Sequence, residues 1–299
     1  MGAPDNVFEL GRSRQAARGV MDFALADQLR DQIAELGWEI LDIPGGFEFR
    51  AKSRFPIFAY MTDMRHSFTD TKFPVICALI VDGFIADAAI SVQRIKAISD
   101  AAVVILVSGT HDLSTLLELL DNRTFIIQVS QGVGWGEAAN ALLKYSPAPY
   151  IVIMDPSTHL TADAITPVLE KLNTGDWSAV GWKGGLINLE DEWRTVDDHG
   201  NGEVDVLFSY FLALNVEHAL GAGGFNARAV YYRNADIEFS LRLRQTQGRL
   251  LQMDLPLTQE RHHGYYDVNP EFREAQSKKT YDRILERFRG KDEILVTRR

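Results

Sequence analysis

The stretch PVICALIV, residues 74–81, is apolar at every position and decides the fold class. A strand with one face in water alternates apolar and polar residues, whereas an unbroken apolar strand is typical of a sheet covered on both faces. Residues 74–81 are therefore predicted to form an interior strand with helices on both sides. The run contains Cys77, the chain's single cysteine, so no disulfide framework exists and a buried thiol is expected.

Segments with strand and helix character alternate beyond this strand. Helices are predicted at residues 86–98, 113–120 and 138–143, and strands at 103–107, 125–129 and 150–154. This alternation predicts an α/β fold, with a Rossmann-like, mostly parallel twisted sheet between helices. The second half is less regular. Its predicted strands are 179–182, 206–214 and 250–255, and its predicted helices are 236–245 and 271–288.

The N-terminal region has a different pattern. Residues 1–20 are polar and are expected to be frayed, apolar residues then recur at helical spacing over 23–36, and two short strands flank the turn at 44–46. We therefore predict a helix-hairpin appendage over 1–70, a main domain over 71–267 and a C-terminal helical tail over 268–299. Arg298 and Arg299 are expected to be frayed.

Composition limits the class of protein. The chain has 299 residues, 46% of them hydrophobic, which suffices for a sizeable core. Its formal net charge of -10 argues against a general nucleic-acid-binding protein. No apolar run approaches the roughly 20 residues that span a bilayer, and no secretory signal is evident. A cytoplasmic protein is expected, with a peripheral position at the inner membrane face and homo-oligomerisation left open.

Polar residues follow the predicted strands where ligands of such sheets bind. Asp82, Asp112 and Asp155 each come directly or shortly after a strand. Gly134 lies in a glycine-rich loop that opens a helix, whose N–H groups could face a phosphate, and Asn140 follows within that helix. The alternatives are structural: Asp112 as a helix cap, the glycines as a simple loop, and Asn140 as a surface residue.

Two carboxylates, Asp236 and Glu238, open the predicted helix at 236–245, shortly after the turn GGFN at 223–226. A carboxylate fixed at the start of a rigid helix is suited to act as a general base.

Four segments in this order resemble the inverting, family-2-like nucleotide-sugar glycosyltransferases with the GT-A fold, of the bacterial type: GVGWGEAAN (132–140), YIVIMDPS (150–157), GGFN (223–226) and DIEFSLR (236–242). The resemblance implies transfer of a sugar from a UDP-, GDP- or dTDP-sugar to a glycan or other hydroxyl acceptor. It places Asp82 and Asp112 near the nucleotide and Asp155 near the ribose or diphosphate. Asp236 would be the catalytic base and Glu238 a supporting carboxylate.

Ser157 departs from this family because it stands where the second metal-binding aspartate is expected. A hydroxyl is a poor ligand for a hard cation, so Mn²⁺ or Mg²⁺ binding would be weak, rebuilt from other residues or absent. His262 and His263 are candidate replacement ligands beside Asp155. Arg261 is a candidate to neutralise the diphosphate. If these replacements fail, the chain would be a degenerate nucleotide-sugar or glycan-binding module.

A second resemblance concerns the N-terminal region. DFALADQLRD (22–31), LGW (36–38), Asp42, PG (44–45) and FR (49–50) resemble the C-terminal tail of cysteinyl-tRNA synthetases, which helps to bind tRNA. A docking or structural role is favoured here, because the acidic balance argues against an RNA partner.

Overall fold

The computed structural model describes residues 3–298, and its chain divides into two compact units between Phe55 and Pro56. The sequence predicted this boundary at residue 70. The difference arises because Ile57 and Phe58 form an edge strand parallel to Gln128 and Val129 of the main sheet. Residues that follow Phe55 therefore belong to the larger unit.

The smaller unit contains two helices and a hairpin, whereas the sequence predicted one helix and a hairpin. Its elements are α1 (Asp5–Gly19), α2 (Phe23–Glu35), β1 (Trp38–Ile43) and β2 (Gly46–Ala51). The expectation of a frayed start is wrong for residues 5–19, which are helical. Val7 of α1 is fully buried, and Arg14 pairs with Asp42 of β1 at 2.7 Å, so the helix is held against the hairpin.

The larger unit contains the remaining elements. Its strands are β3 (Ile57–Phe58), β4 (Val75–Val81), β5 (Ala102–Ser108), β6 (Thr124–Val129), β7 (Tyr150–Met154), β8 (Thr158–Leu160), β9 (Ala179–Gly181), β10 (Gly184–Ile187), β11 (Val196–Asp197), β12 (Gly202–Val204), β13 (Val206–Leu207), β14 (Phe211–Asn215), β15 (Leu250–Gln252) and β16 (Leu257–Gln259). Its helices are α3 (Ile85–Ile98), α4 (Ser114–Leu117), α5 (Trp135–Lys144), α6 (Ile165–Asn173), α7 (Val216–Gly221), α8 (Ala235–Gln245), α9 (His263–Tyr266) and α10 (Pro270–Phe288).

A nine-stranded sheet forms the centre of this unit, in the order β12-β15-β9-β14-β7-β4-β5-β6-β3. Strands β7, β4, β5, β6 and β3 are all parallel, while β14 is antiparallel to β7 and β9. The predicted mostly parallel α/β sheet is confirmed. Cys77 in β4 is fully buried, and this burial raises the pKa of its thiol to about 12.

The prediction of one strand over 206–214 is wrong, and the break in it matters for the site. Val206 and Leu207 pair with β10 in a small sheet, whereas Phe211 begins the strand that joins the main sheet. The chain must bend to pair first with β10 and then with β7, and this bend lies at residues 208–210. It places Ser209 and Tyr210 beside the carboxyl end of β7.

The C-terminal segment is anchored rather than frayed. The side chain of Asp205 is fully buried and accepts hydrogen bonds from the backbone N–H groups of Ile187 and Val296, at 2.8 and 2.6 Å. Arg298 pairs with the same carboxylate at 2.8 Å, so the expected fraying of Arg298 is wrong; Arg299 lies outside the described residues.

Among residues 3–298, every helix is too short or too polar to cross a bilayer.

Candidate functional site

Two adjoining clefts lie at the carboxyl ends of β4 and β7, and Asp155, Ser209 and Tyr232 line both. The larger cleft has a volume of about 720 Å³ and the smaller one about 120 Å³. Aromatic side chains are frequent in the wall of the larger cleft: Trp193, Phe208, Tyr210, Tyr232, Tyr265, Tyr266 and Tyr281. The smaller cleft is lined by apolar side chains and by two further carboxylates, Asp82 and Asp87.

Asp155 ends β7 and is held in a fixed orientation. Its Oδ1 accepts hydrogen bonds from the backbone N–H and the hydroxyl of Ser157, at 2.8 and 2.5 Å. Its Oδ2 lies 3.2 Å from Nε2 of His262. The structure therefore brings together two of the three residues that the sequence singled out for a metal, Asp155 and His262.

The imidazole of His262 is enclosed by aromatic rings. Tyr232 stacks on it with ring centres 5.0 Å apart, and Tyr210 meets it edge-on at 5.9 Å. Its Nδ1 lies 3.0 Å from the side-chain nitrogen of Gln259. Its Nε2 is buried and forms no hydrogen bond within residues 3–298, although Oδ2 of Asp155 lies 3.2 Å away. A buried polar atom without a partner is costly unless a ligand satisfies it.

This pair fits a divalent cation that takes its other ligands from a substrate. A carboxylate oxygen and an imidazole nitrogen are both acceptable to Mn²⁺, and such ions commonly take further ligands from substrate phosphates and water. No group of three or more histidine, cysteine or acidic side chains arranged for a metal exists within residues 3–298. The residues present would thus hold such a cation incompletely on their own.

His263 and Arg261 are directed elsewhere. His263 forms a close ion pair with Asp267, and its ring stacks on Phe84 at 5.4 Å. Arg261 forks onto the same Asp267, at 2.6 and 3.1 Å, and lines neither cleft. These two partners hold the pKa of the Asp267 carboxyl down at about 2. The structure does not bring His263 and Arg261 to the Asp155–His262 pair.

Asp236 lies in the wall of the larger cleft, at the start of α8. Its Oδ2 accepts hydrogen bonds from the backbone N–H and the hydroxyl of Ser209, at 2.8 and 3.1 Å, and its Oδ1 accepts one from the N–H of Ile237. Only 6% of the residue is exposed, and this burial raises the pKa of its carboxyl. A carboxylate fixed in this way and with a raised pKa can accept a proton from a hydroxyl group in the cleft.

Glu238 points away from both clefts. It is 1% exposed, and its Oε2 pairs with Arg283 of α10 at 3.1 Å. Its Oε1 accepts a hydrogen bond of 2.6 Å from the side chain of Asn226. These contacts join α8, α10 and the turn at 223–226, so the geometry supports a structural rather than a catalytic role for this carboxylate.

The glycine-rich start of α5 does not face an open anion site. The N–H groups of Trp135 and Gly136 donate to the carbonyl oxygens of Val230 and Ala229, at 3.0 and 2.8 Å. The predicted phosphate-facing role of these N–H groups is therefore not supported, because the loop around 229–230 occupies them. Gly134 and Gly136 instead allow this loop to approach the helix.

Asn140 also contacts the chain itself. Its side-chain nitrogen donates to the carbonyl of Phe225 at 2.9 Å, and its oxygen accepts from the N–H of Phe225 at 2.8 Å. The segments around Asn140 and the turn at 223–226, which the sequence presented as separate motifs, thus form one junction.

Gly136→Ala should destabilise the fold. An added Cβ would lie 2.2 Å from the carbonyl oxygen of Asn226, which belongs to a tightly bonded turn. We expect a loss of about 2 kcal/mol in the free energy of unfolding, the usual cost of overpacking, measured by urea denaturation. Gly221→Ala is the control, because its added Cβ meets no atom within 4 Å. Equal effects of the two changes would contradict this explanation.

Asp82 and Asp112 are separated by the structure. Asp82 lies in the smaller cleft with Asp155, and burial raises the pKa of its carboxyl. Asp112 lines neither cleft and accepts a 3.0 Å hydrogen bond from the N–H of Ser114, as a residue that precedes a helix does. The structural alternative for Asp112 is the better supported.

Several site residues escaped the sequence analysis. The sequence placed Ser209 and Tyr210 in the middle of the predicted strand 206–214. Tyr232 and Arg233 belong to no recognisable motif. Arg233 lies in the larger cleft, 3.4 Å from Glu274. Two weak signals were present in the sequence. Ser209 and Tyr210 interrupt an otherwise apolar predicted strand, and Tyr232 and Arg233 lie just before the helix that contains Asp236.

Comparisons with known proteins bear on the fold. No protein-family model and no curated protein matches the sequence. Among solved structures, the fold is similar to that of GalNAc-T7, determined with UDP, GalNAc and Mn²⁺ (TM-score 0.55, 11% identity), with 73% of this chain covered. The chain spans about half of that protein, 48% of its length.

A second similar structure is the mannosyltransferase PcManGT from Pyrobaculum calidifontis, in complex with GDP-Man and Mn²⁺. The TM-score is 0.53 with 13% identity, and 79% of this chain and 68% of that chain are covered. Both structures are GT-A glycosyltransferases, so the fold of this chain is the GT-A fold.

Proposed function

We propose that this protein is an inverting, family-2-like glycosyltransferase that moves a sugar from a nucleotide-diphosphate-sugar to a hydroxyl acceptor. The observation that carries the proposal is that Asp236 and the Asp155–His262 pair line the same cleft of about 720 Å³. A candidate base and a candidate cation site thus share one space that is large enough for a substrate. The shared fold with enzymes solved with UDP or GDP-Man and Mn²⁺ supports the same reading.

The smaller cleft, of about 120 Å³, is suited to the base of the nucleotide. Its walls include Trp135, Phe84 and Phe272, which offer flat apolar faces to a base, and Asp82 could accept hydrogen bonds from the base or ribose. Asp155 lines both clefts and would therefore lie between the nucleotide and the transferred sugar. Asp155 and His262 would hold Mn²⁺ or Mg²⁺, which when bound would neutralise the charge of the diphosphate.

Asp236 would act on the acceptor. As its carboxylate takes the proton of the acceptor hydroxyl, that oxygen forms a bond to the anomeric carbon of the sugar. The bond from this carbon to the diphosphate breaks, and the nucleoside diphosphate leaves with the electron pair. Ser209 holds Oδ2 of Asp236, so the base is already oriented when the acceptor arrives.

Titration calorimetry with UDP, GDP and dTDP, each with and without Mn²⁺, tests the donor site. We expect one nucleotide to bind and Mn²⁺ to increase its affinity. In His262→Ala, this increase in affinity should be smaller by a factor of at least about ten. His263→Ala is the matched control and also tests the metal role that the sequence predicted for this neighbour. Failure of all three nucleotides to bind would contradict the proposed function.

A non-catalytic nucleotide-sugar or glycan-binding module is the second candidate. Ser157 favours it, since this residue is 2% exposed and its hydroxyl is committed to Asp155. A site with one carboxylate and one imidazole could bind a donor without turning it over. Donor hydrolysis that Mn²⁺ stimulates would contradict this candidate. The synthetase-like docking role of the N-terminal unit and a cytoplasmic location stay predictions.

A further inference from the structure

Tyr210 lines the larger cleft and is hydrogen-bonded through its backbone to Asp155. Its backbone carbonyl accepts a hydrogen bond of 3.1 Å from the N–H of Asp155. The preceding residue, Ser209, donates two hydrogen bonds to Asp236. The dipeptide Ser209-Tyr210 therefore sets the spacing between the candidate base and the candidate cation-binding carboxylate.

Tyr210 shares the larger cleft with both carboxylates, and its phenol is close enough to feel the charges of both. Tyr210 lines the larger cleft and not the smaller one. Its ring meets Phe208 edge-on at 6.2 Å and His262 edge-on at 5.9 Å, so the ring is packed against both neighbours. No hydrogen bond to this hydroxyl exists within the described residues 3–298, so it is available to a ligand.

The charges around the phenol determine what it can do. Burial, together with the nearby charges of Asp236 and Asp155, raises the pKa of Tyr210 above its usual value of 10. Whatever the size of this shift, a tyrosine hydroxyl carries a proton that it can donate in a hydrogen bond, and Tyr210 lines the same cleft as Asp236.

We propose that Tyr210 is an acceptor-orienting residue, whose O–H donates a hydrogen bond to an oxygen of the acceptor next to the hydroxyl that Asp236 deprotonates. The inference rests on the proposed function and adds a requirement on the substrate: the acceptor carries a second oxygen beside the reacting one, as a sugar with vicinal hydroxyls does. The tyrosine-rich wall of the cleft suits such a ligand, since it offers flat faces to sugar rings and hydroxyls to their oxygens.

Tyr210→Phe removes the hydroxyl and keeps the ring that packs on His262. With the donor nucleotide-sugar, Mn²⁺ and a sugar acceptor, kcat/KM for the acceptor should fall about tenfold, the effect of one lost hydrogen bond to a bound oxygen. Hydrolysis of the donor by water should keep its wild-type rate, because water has no second oxygen to orient. The Kd of the nucleoside diphosphate should also be unchanged. Tyr150→Phe, at the opposite end of β7 and outside both clefts, is the matched control.

An acceptor series gives a second readout. Removing the vicinal oxygen from the acceptor should cost the wild-type enzyme the same factor as Tyr210→Phe and should cost the variant nothing further. Wild-type kcat/KM in Tyr210→Phe would overturn the proposal, as would an equal fall in transfer, hydrolysis and nucleotide binding. A wild-type protein that binds donor but neither transfers nor hydrolyses it would instead contradict the proposed function, and the role of Tyr210 would fall with it.

Discussion

Asp236→Asn is expected to lower the rate of sugar transfer by about a thousandfold, within the range that a positioned general base contributes. The amide cannot accept the proton of the acceptor hydroxyl, although it can still accept the hydrogen bond from the N–H of Ser209. Donor affinity should remain, because Asp236 lines the larger cleft and not the smaller one. The measurements are initial rates of transfer and a calorimetric Kd for the nucleotide.

The same change should leave the fold nearly as stable as before, within about 1 kcal/mol, because a neutral amide is not penalised by burial as a carboxylate is. Asp254→Asn, at an exposed position outside both clefts, is the control. Transfer at the wild-type rate in Asp236→Asn would remove this residue from the mechanism. Loss of donor binding together with transfer would indicate a general disruption of the site.

The pKa of Asp236 sets the pH dependence. Because the folded-state pKa is raised above 3.8, the base becomes protonated, and activity is lost, as pH falls through this raised value. The acid limb of kcat/KM should thus lie above the pH at which a free aspartate titrates. Stability has the opposite sign: the folded protein binds this proton more tightly than the unfolded chain, so stability decreases as pH rises through the same interval.

Glu238→Gln is expected to have the opposite effects to Asp236→Asn. It should lower the free energy of unfolding by about 3 kcal/mol and should change the rate of transfer per folded molecule little. The amide nitrogen of glutamine would meet the donors of Arg283, which then lose their buried partner. The hydrogen bond from Asn226 can persist. Urea denaturation and the transfer rate per folded molecule are the two measurements.

Glu286→Gln is the matched control for this change, since Glu286 lies on the same helix as Arg283, is exposed and forms no ion pair in the described part of the chain. A Glu238→Gln protein with wild-type stability and a large loss of rate would restore the catalytic role that the sequence predicted. Together, the Asp236→Asn and Glu238→Gln measurements would distinguish a catalytic carboxylate from a structural one at the start of the same helix.

The sequence predicted the parallel half of the sheet well, and physical reasons explain why. Unbroken apolar runs such as residues 75–81 and 103–107 favour strands that are covered on both faces. The break at 208–210 could not be predicted, because Val206 and Phe211 are equally apolar and only their tertiary partners differ.

The site was predictable where a residue's role follows from its place at the end of a strand or helix. Asp155 and Asp236 lie in the larger cleft for this reason. Glu238 lies two residues from Asp236 but on another face of the helix, and sequence spacing alone did not reveal Arg283 as its partner. Asn140 and Gly136 looked like ligand-binding residues because the loop that they contact lies far away in the sequence.

The junction between the start of α5 and the turn at 223–226 has a consequence for how the protein folds. The hydrogen bonds of Asn140 to Phe225 join residues 85 positions apart. A nascent chain released only to the end of β7 has no partner for Trp135 N–H, Gly136 N–H or the Asn140 amide. The parallel strands can therefore assemble early, while the first turn of α5 matures only after the second half of the chain has been synthesised.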